Sequence, residues 1–237
     1  MELNFLGRGS AFNPKEGNTS AYFIENNELF LIDCGEDIFE RIIKNNVLKD
    51  IEKINALITH THSDHIGSLG SLIMYSYYII KKKVNIILPS NAKYIENIEM
   101  ILKAVGCTKD MYDYVVEDSI DNKYSIFSNV RFIETRHSDN LNCYGIIFNT
   151  ENGIVYYSGD TNDIEVIKSI IENYHKIDKL YIETTLLNYE GNVHLYIGFL
   201  DEVINEELKK QTYCMHVESD ECIKRVKKLG FNVVDIK

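Results

Sequence analysis

The 237-residue chain contains no run of 18 or more apolar residues, so the sequence offers no membrane-spanning helix. Its first residues, Met1-Glu2-Leu3-Asn4-Phe5-Leu6-Gly7, lack the basic start and long apolar stretch of a secretory signal, and the expected location is cytoplasmic. No Ser-, Gly- or Pro-rich segment and no low-complexity tract divides the sequence, so residues 1–237 are expected to form a single domain. Nothing repeats at a solenoid period. The cysteines (Cys34, Cys107, Cys143, Cys214 and Cys222) are odd in number and contain no CxxC pair, which argues for reduced thiols over a disulfide framework. Positive charge is scarce as well: 25 Lys and Arg against 36 Asp and Glu leave a formal charge of −11. A surface built to track a phosphate backbone needs clustered cations, so a nucleic-acid partner is not expected. A small anionic substrate stays compatible with that charge if bound cations invert the local field.

Against these absences stands a recurring unit, a strand that delivers into a His- or Asp-bearing segment. Residues 19–34 read as a hairpin around a Glu-Asn-Asn turn, and 37–48 as an amphipathic helix. A buried strand at 55–59 runs into His60-Thr61-His62-Ser63-Asp64-His65, which places the motif on the loop leaving that strand. A helix from Ile66 to Lys83, a strand at 84–88 and a helix at about 91–105 follow. Strand 129–135 leads to Arg136-His137-Ser138, and a hairpin turning at Glu151-Asn152-Gly153 leads to Ser158-Gly159-Asp160-Thr161. Helices at 163–174, 197–209 and 219–229 alternate with strands at 179–183, 211–215 and 232–236. Strands with interleaved helices in both halves imply an α/β architecture of two face-to-face sheets with helices outside.

Three histidines and an aspartate within six residues are a dense set of metal-ligating groups. His-x-His lets two imidazoles reach one ion from the same side, and the Asp-His pair just after it points to a second ion close by. Imidazole and carboxylate suit Zn²⁺, with Mn²⁺ or another divalent transition metal admissible on ligand type. Asp33, at the end of the first hairpin, is a candidate for holding one of the imidazoles in orientation. His175 lies outside the pattern and reads as a surface residue. Tyr75, Tyr77 and Tyr78 read as core of the helix after the motif, or as a pocket or subunit contact. Arg8 and Ser10 read either as phosphate contacts or as part of a structural turn.

The pattern His60, His62, Asp64, His65, then His137, Asp160 and His216, resembles the signature of the metallo-β-lactamase superfamily. Phe5-Leu6-Gly7-Arg8-Gly9-Ser10, Asn18-Thr19-Ser20 and Leu31-Ile32-Asp33-Cys34-Gly35 resemble the N-terminal strands of its ribonuclease Z-like branch. The resemblance spans nearly the whole chain and implies the αββα sandwich of that fold: two mixed sheets with helices on the outer faces. It also implies a ligand set, with one metal on His60, His62 and His137, the other on Asp64, His65 and His216, and Asp160 bridging. Two such ions, about 3.5–4 Å apart, would activate a shared water and brace an in-line displacement at phosphorus. Asp64 would also orient the nucleophile. Glu183 and His194, in Glu183-Thr184-Thr185 and Asn192-Val193-His194, resemble the pair that assists the leaving group in ribonuclease Z-like phosphodiesterases, with Glu183 holding His194 protonated as general acid.

The short interval between His137 and Asp160 leaves no room for the protruding arm with which ribonuclease Z grips tRNA. Phe5 through Phe12, Glu16 through Ser20, the Thr59–Gly70 block and Asn192-Val193-His194 are similar to the anti-Pycsar cyclic-nucleotide phosphodiesterases. That resemblance implies metal-dependent hydrolysis of 3′,5′-cyclic nucleotides, cCMP and cUMP among them, to nucleoside monophosphates, with two Zn²⁺ as cofactors. It also implies a homodimer whose partner subunit helps to complete the pocket. The alternatives are a ribonuclease Z-like tRNA 3′-processing endonuclease and a metallo-hydrolase of lactones or acyl esters, since a two-metal site permits all three chemistries.

Overall fold

The computed structural model describes residues 1–120 and 124–237. One sheet carries, from edge to edge, β1 (Asn4–Gly7), β2 (Ser20–Glu25), β3 (Glu28–Ile32), β4 (Lys53–Leu57), β5 (Val84–Leu88) and β6 (Tyr112–Val116). The other carries β7 (Asn129–Thr135), β8 (Cys143–Thr150), β9 (Gly153–Tyr157), β10 (Ile177–Glu183), β11 (Thr212–Met215) and β12 (Asn232–Val233). Each sheet starts with antiparallel pairing, β1 to β3 and β7 to β9, and continues parallel, β3 to β6 and β9 to β12. Two halves of the chain therefore repeat one topology.

Parallel strands need crossovers, and helices supply them. The helices are α1 (Ile38–Lys44), α2 (Ser63–Ile66), α3 (Leu69–Tyr75), α4 (Ala92–Ala104), α5 (Ile164–Asn173), α6 (Ile197–Val203), α7 (Glu206–Lys209) and α8 (Asp220–Lys228). Strand residues bury alternately on two faces. In β9, Val155 and Tyr157 point to the core between the sheets, while Ile154 and Tyr156 pack under the outer helices with Ile167, Leu200 and Val226. Burial on both faces explains why these strands are apolar throughout rather than alternating. Between the sheets, Phe23 stacks on Phe30 at 4.7 Å and meets Phe148 of the opposite sheet edge-on at 5.6 Å. This is the αββα arrangement expected from the sequence.

Local differences have physical causes. The motif does not lie wholly on a loop, because Ser63-Asp64-His65-Ile66 form the single turn α2. The long helix after the motif is broken: α3 passes into a π-helical turn, Ser76–Ile80, which ends where Lys81 adopts a left-handed conformation (φ 63°). Tyr75 is half-buried against Phe39, Tyr77 is half-buried against the margin of the core and bonds Asp110, and Tyr78 is exposed, so only Tyr77 of the three packs on the core. The helix expected over 197–209 is two helices, because Asn205 accepts a hydrogen bond from the Leu208 N–H and caps α7. Strand β6 has no counterpart in the sequence reading, and the last strand is shorter than expected. The hairpin turn at Asn26-Asn27 has both residues at positive φ (50° and 60°), the type I′ geometry that asparagine tolerates. All five cysteines are buried and unpaired. Among the described residues, no helix is long and apolar enough to cross a membrane.

Candidate metal centre and active-site cleft

The sequence-predicted residues converge at the C-terminal ends of the strands. Asp33 follows β3, the motif follows β4, His137 follows β7, Asp160 follows β9, Glu183 ends β10 and His216 follows β11. Asp33 and His216 take left-handed backbone angles (φ 63° and 57°), which turn the chain sharply as it leaves each strand. Gly159 also needs positive φ (58°), and a Cβ there would stand 2.6 Å from the Tyr144 carbonyl oxygen.

Among the described residues, three overlapping groups of potential ligand atoms result: His60, His62 and His137 form the first, Asp64, His65, Asp160 and His216 the second, and His137 and Asp160 recur in a third with Glu183 and His194. In the first, His62 Nδ1 is 3.1 Å from both His60 Nε2 and His137 Nε2. In the second, Asp64 Oδ2 lies 3.3 Å from His65 Nε2 and from His216 Nε2, and Asp160 Oδ2 lies 3.2 Å from His216 Nε2. Asp160 faces both groups, with Oδ1 3.3 Å from His65 Nε2 and Oδ2 3.7 Å from His137 Nε2. Ligands about 2.1 Å from a tetrahedral ion stand about 3.4 Å apart, so these spacings fit coordination.

The hydrogen bonds behind the imidazoles decide which ring nitrogens are free. His137 Nδ1 is 2.8 Å from the Val193 carbonyl, which can only accept, so that nitrogen carries the proton. Thr59 Oγ1 donates to Asp33 Oδ2 at 2.7 Å and therefore accepts from His60 Nδ1 at 3.1 Å. His65 Nδ1 donates to Asp33 Oδ2 at 2.8 Å. With Nδ1 as the donor on each ring, the Nε2 atoms of three rings face one small volume, and His65 Nε2 is buried without a hydrogen-bond partner. A buried ring nitrogen with no partner, beside two others that share the single His62 contact, is costly unless a cation sits among them. The donor set fits divalent cations.

Electrostatics divide these residues into neutral and charged groups. Burial, with the charge of His65 adding to it, pushes His60 well below the usual histidine range, and burial likewise lowers His62. Burial opposes ionisation of Asp64 and Asp160, yet neighbouring histidines outweigh it and hold both carboxyls well below their ordinary range. Burial also opposes a charge on His65, but Asp160 and Asp33 on either side raise it well above its ordinary value. A cation at His65 Nε2 would take that proton's place.

His194 stands beside this centre. Its Nδ1 is 2.9 Å from Glu183 Oε2, and its ring stacks on His216 at 5.0 Å and approaches His137 at 4.9 Å. Burial disfavours the charged ring, but Glu183 outweighs it, with Asp160 and Asp64 adding, and His194 is pushed up to about 9. Glu183 is fully buried and is held in turn by the Thr161 N–H. The cleft in front of these residues has a volume of about 390 Å³, and its walls include Phe12, Glu36, His62, Asp64, His137, Asp160, His194 and His216. A larger groove of about 700 Å³ lies against α5, away from the ligand groups.

Thr59, the Val193 carbonyl and Phe12 lie within the motifs that carry the resemblance but were given no role of their own, and Glu36 lay outside every motif. Arg8 resolves as a structural turn: its guanidinium bonds Glu16 Oε2 at 2.6 Å and the Val234 carbonyl at 2.7 Å, and it does not line the cleft. His175 is exposed, as expected.

The structure is similar to the metallo-β-lactamase fold protein YhfI from Bacillus subtilis, with a TM-score of 0.74 at 16% identity, covering 99% of this chain and 95% of that one. It is also similar to the short form of human tRNase Z, with a TM-score of 0.63 at 20% identity, covering 93% and 94%. At such identities the likeness establishes the fold, and the fold is that of the metallo-β-lactamases. In sequence, the chain is 27% identical over 236 residues to the anti-Pycsar protein Apyc1 of Bacillus phage 010DV004, covering 91% of this chain and 88% of the relative. The sequence model of the family described as anti-Pycsar protein Apyc1 matches residues 1–233, and the chain belongs to that family.

Proposed function

We propose that the protein is a two-metal phosphodiesterase that hydrolyses 3′,5′-cyclic nucleotides, cCMP and cUMP among them, to nucleoside monophosphates, and so counters cyclic-nucleotide antiphage signalling in the cytosol. The observation that carries this reading is the position of the Glu183–His194 pair beside two ligand groups that share Asp160. His60, His62 and His137 would hold one divalent ion, and Asp64, His65 and His216 the other, with Asp160 between them; Zn²⁺ suits the donors best. When bound, such ions lower the pKa of water and offset charge on phosphoryl oxygens.

The chain's own residues do the rest. Asp64, at the cleft wall, orients the attacking water opposite the leaving group. His194, kept protonated by Glu183, donates to the departing ribose oxygen, a contribution of roughly 10²–10⁴-fold. A lactone or acyl ester needs no such strong acid at that place. The segment between His137 and Asp160 is consumed by the β8–β9 hairpin inside the sheet, which leaves no arm there to grip a tRNA. The family's homodimeric assembly, with the partner subunit helping to complete the pocket, is part of this proposal.

The test is incubation of metal-loaded protein with cCMP, cUMP, cAMP, cGMP and a tRNA precursor, beside an EDTA-treated control. Metal-dependent conversion of the cyclic nucleotides with tRNA intact is the expected result. Cleavage of tRNA alone would make the protein a ribonuclease Z-like nuclease, and inertness toward all five would redirect attention to lactones and acyl esters.

A further inference from the structure

Phe12 is 96% exposed, far more than any other large apolar side chain of the described residues. Exposed phenylalanines are usually on yielding loops, but this one is held. Ser10 and Asn13 close a tight turn around it through the Asn13 N–H to the Ser10 carbonyl at 3.0 Å. That turn is clamped to Val217, the residue after His216: the Ser10 N–H and the Asn13 side-chain amide both donate to the Val217 carbonyl, and the Val217 N–H donates to the Arg8 carbonyl. Arg8 is itself fixed by Glu16 and Val234. The ring makes no contact with another aromatic among the described residues, yet it lines the same cleft as His62, Asp64, His194 and His216. An apolar ring on a clamped turn is thus presented to solvent at the wall of the candidate active-site cleft, where it serves no core.

We propose that Phe12 is the platform on which the base of the nucleotide stacks while its phosphate lies at the metal centre; this rests on the cyclic-nucleotide reading above. The cleft walls carry no Lys or Arg among the described residues, so the phosphate would be bound by the metal centre and His194 alone. The base then needs a separate, uncharged contact. An aromatic face accepts every base, because each has a π-surface, and its contribution is insensitive to base identity. Ala11 and Val193, the other apolar walls, extend that surface without reading base edges. A stacking plate of this kind would take every base alike, whatever Glu36 and Ser63 on the same cleft wall contact.

Phe12→Ala in the metal-loaded protein is expected to raise KM for all four cyclic mononucleotides by roughly 5- to 100-fold, with kcat changed by less than about twofold, and Phe12→Tyr to restore KM. The chain has no tryptophan, so Phe12→Trp adds a single indole whose fluorescence reports stacking directly. Its emission should be quenched by the slowly hydrolysed Rp-phosphorothioate of cyclic AMP and not by ribose 5-phosphate. The inference is overturned if Phe12→Ala leaves KM unchanged, if it lowers kcat instead, if it alters only the sedimentation of the protein as a subunit contact would, or if both ligands quench alike. Should the unaltered protein turn over no cyclic nucleotide, the functional reading fails on its own, and the quenching measurement still decides whether Phe12 binds a base.

Discussion

The carboxylate of Glu183 and the imidazole of His194 stand 2.9 Å apart, with the carboxylate fully buried and the ring partly open to the cleft. A buried anion behind a half-open histidine favours the protonated ring. His194→Ala should therefore lower kcat by roughly 10²–10⁴-fold on a substrate with a poor leaving group, while metal content measured by elemental analysis stays at the unaltered value. Full activity in this variant would remove His194 from the chemistry.

Glu183 also sets the pH range over which that proton stays. In the metal-free protein His194 should titrate near 9, against an ordinary value of 6.5, and Glu183→Gln should bring it down. Because the folded protein prefers the charged ring, the stabilisation is complete below the ordinary histidine range and fades as pH rises through about 9. Loading the centre with cations screens Asp64 and Asp160 and should move the titration downward. Histidine NMR across pH, with and without metal, measures all three shifts.

Thr59 links Asp33 to His60, donating to one and accepting from the other. Thr59→Val keeps the shape but leaves the His60 Nδ1–H unpaired, so metal affinity should fall about 10- to 100-fold with the fold retained. Competition against a chromophoric chelator, alongside circular dichroism, separates that outcome from simple unfolding.

Much of this centre is legible in the sequence because ligand chemistry is dense and local. Three imidazoles and a carboxylate in six residues announce themselves, and the later ligands each follow an apolar run. Asp33 was legible too, as a lone buried-looking acid at a strand end. The contacts supplied by backbone were not. The Val193 carbonyl that orients His137 is carried by a residue of no distinctive type, and it is close only because two distant loops meet. The one-turn helix α2 was hidden for a related reason: four residues are too few to show a helical period. Strand β6 escaped because Tyr112-Asp113-Tyr114-Val115-Val116 is only partly buried at the edge of its sheet, so it lacks the uniform apolar character of its neighbours. Phe12 gives no periodic signal at all, since a single exposed aromatic between polar residues reads as loop.

Gly35 marks where two parts of the site touch backbone to backbone. A Cβ there would stand 2.0 Å from the Asp64 carbonyl oxygen. Gly35→Ala must push the α2 turn away from the end of β3, which should cost about 1–3 kcal/mol and lower metal content as well. Thermal unfolding and elemental analysis of the same sample test both effects.

Metal removal should destabilise the protein measurably. A ligand present at 100 times its Kd adds about 2.7 kcal/mol, so EDTA-stripped protein should unfold at a lower temperature, and the midpoint should climb with added Zn²⁺. In His62→Ala, which loses one ligand of one group, part of that response should survive. Asp160→Ala, which removes the residue facing both groups, should abolish turnover and nearly all of the response.

The candidate ligands come from both halves of the chain: the first sheet supplies His60 to His65, and the second supplies His137, Asp160 and His216. During synthesis, no ribosome-bound intermediate that stops short of His216 can assemble the full cage, however well its first sheet has formed. Until His216 is made, only part of the candidate cage exists, with weaker hold and looser choice among ions, and a chain cut just before β11 is expected to bind divalent cations less tightly than the uncut protein.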